Sequence, residues 1–152
     1  MPARDRFRLR PRSLSGWTMA VFGLLASALG VVGLLAPGVL LTAMGFDPSP
    51  FACFGPIPDG VVDATPTLLT ASSMAAVNMG VYYLLAALAD WRAFFRWTVP
   101  FRLLTCAVFT LAVVSGRAPD GFLGVGLWEG LGALATWVAL RQDARREAAA
   151  AA

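Results

Sequence analysis

Four side chains in this sequence could do chemistry inside an apolar environment: a carboxylate, a guanidinium, a carboxamide and a phenol. Glu129 lies near the middle of the apolar run 121–140, while Arg102, Asn78 and Tyr82 lie on two other apolar runs. A carboxylate at the centre of a membrane span costs roughly 2.5 to 3.5 kcal/mol, so it normally faces protein or water and has a partner. These four residues therefore form a candidate intramembrane binding cluster.

The depth of each polar residue follows from the helical rise. Asn78 lies eleven residues before Ala89 and Glu129 eleven before Leu140, which places both roughly 16 Å from the same membrane boundary. Arg102 lies about five residues into its span, roughly 8 Å deep, and its long side chain can extend further. Glu129 is therefore either buried alone and neutral or paired with Arg102 and ionised.

The face of the last run that carries Glu129 also carries small residues. Steps of three and four along the helix connect Glu129 with Gly126, Ala133 and Thr136. Gly126 and Gly130 form a small-xxx-small pair, and Ala133 extends the same helix face of small side chains. Such a surface permits close backbone approach, which drives helix association in lipid. Gly126, Gly130 and Ala133 are therefore predicted to be helix-packing residues.

Three interpretations of the polar cluster stay open. Glu129 can be a satisfied interior acid in an accessory or interaction component, which is the function that we expect. Alternatively, it can face a cavity in a small-molecule or proton-coupled transporter, because intramembrane ionisable groups mark such pathways. The third interpretation is acid–base chemistry in a quinone- or lipid-linked membrane enzyme subunit. No catalytic residue is predicted, and no motif for a cofactor is present.

The residue inventory disfavours several other kinds of site. Histidine is absent, and Cys53 and Cys106 stand far apart, so neither a transition-metal site nor haem is expected. A His-centred catalytic triad cannot be built. The net charge of +3 does not indicate a nucleic-acid partner, because the arginines flank apolar runs and so report topology. The expected partners are the lipid bilayer and either a second copy or another membrane protein, with any small-molecule ligand unspecified.

The elements that must position these residues are apolar helices. Hydrophobic residues make up 58% of the 152 and charged residues 14%, a composition typical of membrane proteins. The sequence predicts an all-α integral membrane four-helix bundle within 16–141, between a basic tail (1–15) and an alanine-rich tail (142–152). A short interfacial helix is expected after Pro37. The predicted spans are 17–36, 66–89, 97–114 and 121–140, with a periplasmic loop over 46–65.

The charge distribution predicts the orientation of the bundle. One side of the predicted membrane carries ten arginines, whereas the other carries Arg117 beside four aspartates. The positive-inside rule then places both termini in the cytoplasm. Cys53 should accordingly be accessible from outside, Cys106 should be protected within its span, and the two should not form a disulfide.

The arrangement of these motifs resembles small bacterial membrane proteins of the DoxX-like kind. The resemblance rests on the four spans, the Pro-containing end of the first, the segment Asn78-x-x-x-Tyr82-Tyr83, Arg102 in the third span and Glu129 in the Gly-rich fourth. It implies a multi-pass protein of the bacterial inner membrane. The quinone-linked members of that group imply, in addition, a redox role.

Overall fold

The computed structural model describes residues 10–46 and 65–152, and within these ranges the regular structure is entirely helical. Four of the helices are long and apolar enough to cross a membrane, which indicates a multi-pass membrane protein. A 3-10 turn at Asp120–Phe122 precedes the last helix. The helices are α1 (Leu14–Leu35), the short α2 (Pro37–Ala43), α3 (Thr65–Leu88), α4 (Arg92–Val114) and α5 (Leu123–Ala151).

The bundle is built from two closely packed helix pairs. Helix α1 packs along α3, α5 packs along α4, and a smaller contact between α1 and α5 joins the pairs. The central core cluster contains Met19 and Phe22 of α1, Tyr83 of α3 and Phe95 of α4. Helix α1 is therefore the element that brings α3 and the α4–α5 pair together.

Small residues at seven-residue spacing bring α1 and α3 into backbone contact. A Cβ added to Gly23 would lie 2.7 Å from the Gly80 carbonyl oxygen, and one on Gly30 would lie 2.7 Å from the Ser73 oxygen. At the far end of the same contact, Gly16 faces the Ala87 carbonyl. Seven residues make two helical turns, so the small residues recur on one face of each helix. Because these side chains are small, the backbones of the antiparallel helices α1 and α3 come into direct contact.

The ends of the helices follow from local sequence. Pro37 starts α2 in its first turn, where the missing N–H costs nothing. Helix α3 ends at Leu88, and Asp90, two residues later, adopts a φ of 49°, while the Trp91 N–H donates to the Ala86 oxygen at 3.0 Å. Gly116, with a φ of 71°, ends α4 in the same left-handed conformation. The short helix after Pro37 is thus present as expected.

Two helices extend beyond their predicted spans. Helix α4 begins at Arg92 instead of near 97, because the preceding turn is confined to 89–91 and Arg92 forms ion pairs with Asp90 and Glu147. Helix α5 continues through 142–152, where the alanine-rich sequence has high helix propensity. The predicted loop lies almost entirely outside the described residues, as does Cys53.

Polar contacts close one end of the bundle. The carboxylate of Asp143 accepts hydrogen bonds from the backbone N–H groups of Leu14 and Ser15, at 3.1 and 2.9 Å, and from the Ser15 hydroxyl at 2.7 Å. Ser13 caps α1 by accepting from the Gly16 N–H, and its hydroxyl also bonds to Asp90. The start of α1, the α3–α4 turn and the end of α5 therefore meet at the same end.

Candidate functional site

The face of α5 that carries Glu129 is turned into the bundle. Gly126, Ala133 and Thr136 are all buried, and Glu129 lies among them with 19% of its side chain exposed. Gly130 faces Cys106 of α4, whose sulfur would be 3.0 Å from an added Cβ. Gly126 and Gly130 therefore lie where α5 packs against α4, whereas Thr136 contacts Thr18 and Met19 of α1.

Glu129, which is partly buried, forms an ion pair with the buried Arg102. The Arg102 Nε donates to Glu129 Oε2 at 3.0 Å, and the arginine side chain is 4% exposed. Helices α4 and α5 run antiparallel, and Arg102 lies nearer than Glu129 to the predicted membrane boundary. The Arg102 side chain therefore extends along the bundle toward the middle of α5. The structure thus brings together the two charged members of the predicted cluster.

The Arg102 guanidinium is held between α1 and α5. Its Cζ lies 3.4 Å from the centroid of the Phe22 ring, a cation–π contact. On the other helix, an added Cβ on Gly132 would overlap Arg102 Nη2. Glycine at position 132 therefore leaves the space that the guanidinium occupies.

The outer nitrogens of the guanidinium lack partners in the part of the chain that the structure describes. Nη1 and Nη2 are both buried, and neither has a hydrogen-bond partner there. Glu129 uses only Nε. A buried donor without an acceptor costs about 1 to 3 kcal/mol, and more when charged. The site consequently has two donor nitrogens, with four N–H groups between them, available for an oxygen acceptor.

An apolar groove lies on the outer side of this guanidinium, between α1 and α5. Its volume is about 470 Å³. Phe22 and Trp128, which border it, stack with ring centroids 5.0 Å apart and an interplanar angle of 20°. Phe22 and Gly132 contact both the groove and Arg102, so they separate the groove from the charged nitrogens. The other lining residues include Trp17, Val21, Leu131 and Ala135.

The structure places Asn78 and Tyr82 outside this site. Both are exposed, and Tyr82 has 56% of its surface accessible. The reason is the packing of α3, because the face that carries Gly80 must turn toward α1. Positions 78 and 82 each lie two residues from Gly80, which places them on the opposite side of the helix. Only two of the four predicted cluster residues therefore come together.

Sequence reasoning missed three residues around the ion pair. Phe22 and Gly132 enclose the guanidinium, and Tyr83 packs its ring 5.5 Å from Phe22. The seven-residue spacing of small residues on α1 and α3 could have identified the inward faces. That spacing would have selected Tyr83 instead of its neighbour Tyr82.

Within the described ranges, no three His, Cys, Asp or Glu side chains cluster closely enough to hold a metal ion. Comparisons with protein-family models, with curated proteins and with solved structures found no match. The function of the site is therefore inferred from its geometry.

Proposed function

We propose that this protein is a multi-pass interaction component of the bacterial inner membrane that works as a homodimer through the outer face of α3. The observation that carries the proposal is the exposed carboxamide of Asn78 in the middle of an apolar helix. Its side chain bonds to no other residue in 10–46 or 65–152. An amide in hydrocarbon without a partner is costly, so a partner helix is expected.

The residues around Asn78 form a seam that suits a second helix. Six exposed positions recur at steps of three and four, which is the heptad spacing of helix pairs. They lie opposite the face that packs on α1. Two small residues near the centre permit close approach. This seam, called the α3 seam below, consists of Leu68, Ala71, Ala75, Asn78, Tyr82 and Leu85.

A second copy of the chain fits the chemistry of the α3 seam. A carboxamide carries both donors and an acceptor, so two Asn78 side chains related by a two-fold axis satisfy each other. In a two-fold dimer with its axis along the membrane normal, the two α3 helices run parallel and equal residues face each other. An interhelical hydrogen bond of this kind stabilises association by about 0.6 to 2 kcal/mol.

Arginine placement supports a cytoplasmic location for both termini. Arg92 and Arg96 at the start of α4 and Arg141 at the end of α5 lie at the end of the bundle where α1 begins. Arg117 lies at the opposite end, after α4. The positive-inside rule assigns the arginine-rich end to the cytoplasm. The resemblance to DoxX-like proteins supports the same membrane.

Self-association is measured by energy transfer between two fluorophore-labelled populations at decreasing protein-to-lipid ratios. Asn78→Leu should raise the dimer dissociation constant about 3- to 30-fold, the equivalent of one lost interhelical hydrogen bond. Thr105→Val is the matched control, because Thr105 lies on α4 and bonds to its own helix through Phe101 O. Energy transfer that is absent in the wild type, or unchanged in Asn78→Leu, would refute the proposal.

Cysteine cross-linking tests which face of α3 forms the contact. In a background without native cysteines, Ala75→Cys on the α3 seam should form a disulfide between copies upon oxidation. Val81→Cys is exposed but lies roughly a quarter of a turn from the α3 seam, so it should cross-link far less. Equal cross-linking at the two positions would mean that the copies collide without a defined interface.

Thiol labelling in intact cells tests the orientation. Ser115→Cys, in the exposed turn after α4, should react with a membrane-impermeant reagent added outside. Ala149→Cys, near the end of α5, should react only after the cells are permeabilised. The reverse order of labelling would invert the proposed topology.

A further inference from the structure

We propose that the groove between α1 and α5 binds a free, uncharged apolar molecule whose carbonyl oxygen accepts hydrogen bonds from the Nη atoms of Arg102. This site is separate from the α3 seam, so the inference does not depend on the homodimer. The carbonyl would enter where Phe22 and Gly132 now separate the groove from the guanidinium. Its apolar body would lie along Trp17, Trp128 and Ala135.

The free donors belong to the guanidinium of Arg102. Arg102 is 3% exposed, and Nη1 and Nη2 have no acceptor among the described residues. The ion pair with Glu129 engages Nε, which leaves the outer end of the planar guanidinium for another oxygen. A guanidinium in this position provides two adjacent N–H groups that one carbonyl oxygen can accept.

Gly132 and Phe22 determine the access to these donors. Gly132 has no side chain, and Nη2 occupies the place where that side chain would begin. The Phe22 ring covers the guanidinium from α1 and also borders the groove. Phe22 is 6% exposed and packs against Tyr83 and Trp128, so a ligand in the groove must displace this ring to reach the guanidinium. Gly132 therefore leaves the space for the guanidinium, and Phe22 controls the access to it from the groove.

The charges of the ion pair determine which ligand charge suits the site. Arg102 and Glu129 together carry no net charge, so a bound anion would leave one uncompensated negative charge inside the protein. Desolvation of an ion costs several kcal/mol in real proteins. A neutral carbonyl oxygen accepts from two of the four free N–H groups without adding a charge. An uncharged ester or ketone therefore suits the site better than a carboxylate or a phosphate.

The depth of the guanidinium distinguishes a free ligand from the lipids of the surrounding bilayer. Gly132 lies nine residues before Arg141, which places the guanidinium roughly 13 Å inside the boundary of the apolar region. The ester carbonyls of bilayer lipids lie in the interfacial regions outside the ~30 Å hydrocarbon core. A free apolar molecule can carry its carbonyl to this depth.

Infrared spectroscopy of an added ester tests the proposal directly. The protein is placed in nanodiscs of ether-linked phospholipid, which has no carbonyl, and methyl palmitate with an isotope-labelled carbonyl is added. Hydrogen bonding to Arg102 should shift part of the ester carbonyl band to lower frequency. The shifted component should saturate at one ester per protein.

Three variants assign the shifted band to the site. Arg102→Met should abolish it, whereas Arg96→Met, an exposed arginine on the same helix, should leave it unchanged. Ala135→Phe fills the groove without touching the ion pair and should weaken ester binding at least about tenfold, because the ring occupies the ligand's space. This variant keeps the test decisive if Arg102→Met fails to fold.

Specific results would overturn the proposal. They are the absence of a shifted band in the wild type, or a shifted band of equal size in Arg102→Met or Ala135→Phe. Displacement of the ester by palmitate at equal or lower concentration would show that the site prefers an anion. A tenfold loss of ester binding in nanodiscs of ester-linked phospholipid would show that bilayer lipid occupies the site.

Discussion

The α1–α3 contact and the α4–α5 contact hold two antiparallel helix pairs together in different ways. Between α1 and α3, Gly23 and Gly80 bring the backbones so close that no side chain fits between them. Between α4 and α5, an added Cβ on Gly126 would meet its nearest atom only at 3.5 Å, and the pair contains the Arg102–Glu129 ion pair.

The difference between the two contacts shows which of them can accommodate a ligand. A contact between two backbone surfaces leaves no space for a ligand. Its specificity comes from van der Waals packing and from the shape of the two surfaces. Both contacts hold buried polar atoms without a hydrogen-bond partner among the described residues: the Ser27 and Ser73 hydroxyls between α1 and α3, and the Arg102 Nη atoms beside α5. The Arg102 atoms differ in that Phe22 and Gly132, which contact them, also line a groove. The α1–α3 pair is therefore the structural part of the bundle, and the neighbourhood of the α4–α5 ion pair is its adaptable part.

The largest expected effect comes from removing one member of the ion pair. Arg102→Leu should destabilise the protein by about 3 to 5 kcal/mol, because it leaves the Glu129 carboxylate buried without its partner. The double variant with Glu129→Leu should lose less than the sum of the single losses. Unfolding of all three variants in one detergent measures this coupling, with Arg96→Leu as the exposed control. Additive losses would show that the pair contributes no coupling energy.

A smaller effect is expected from a methyl group in the α1–α3 contact. Gly80→Ala should cost about 1 to 3 kcal/mol, because its Cβ would meet the Gly23 oxygen and Ser27. Gly124→Ala is the matched control, since an added Cβ there has no neighbour within 4 Å. That control should be neutral or stabilise α5 by up to about 1 kcal/mol. Equal unfolding free energies for the two variants would contradict the close contact.

The smallest effects distinguish a buried carboxylate from an exposed one on the same helix. Asp143→Ala removes the acceptor for the first N–H groups of α1 and should cost about 1 to 2 kcal/mol. Glu147→Ala breaks the 2.7 Å ion pair with Arg92, in which the glutamate is 63% exposed, and should cost less than about 1 kcal/mol. The order of the two unfolding free energies checks the prediction, and a reversed order would contradict it.

Helix positions were predictable from the sequence, whereas helix neighbours were not. Apolar runs and Pro37 located the helices because length, hydrophobicity and Pro geometry act locally. The stripe through Gly126 and Ala133 identified the inward face of α5, because an acid avoids lipid and small residues favour close helix packing. Helix α3 has polar and small residues on more than one side, so its orientation depends on which helix it packs against.

The site was predictable where charge demanded a partner. Arg102 and Glu129 are each costly alone in an apolar environment, which favours a contact between them, although the sequence also allowed a neutral Glu129 without this partner. Asn78 is polar without being charged, and it can be satisfied outside the bundle as well as inside. Phe22 and Gly132 carry no charged or polar group that would mark them as site residues in the sequence. They belong to the site only because the Arg102 side chain passes between them.

The contact of Asp143 with the start of α1 also has a consequence for biosynthesis. Asp143 is made 129 residues after Leu14, whose N–H it accepts. While α1 and α3 can already associate through their glycines, the first turn of α1 has no acceptor from α5 until the last helix is synthesised. We expect this end of the bundle to fray in a nascent chain and to close only after α5 is inserted. A membrane protease that recognises frayed helix ends would then distinguish unfinished chains from finished ones.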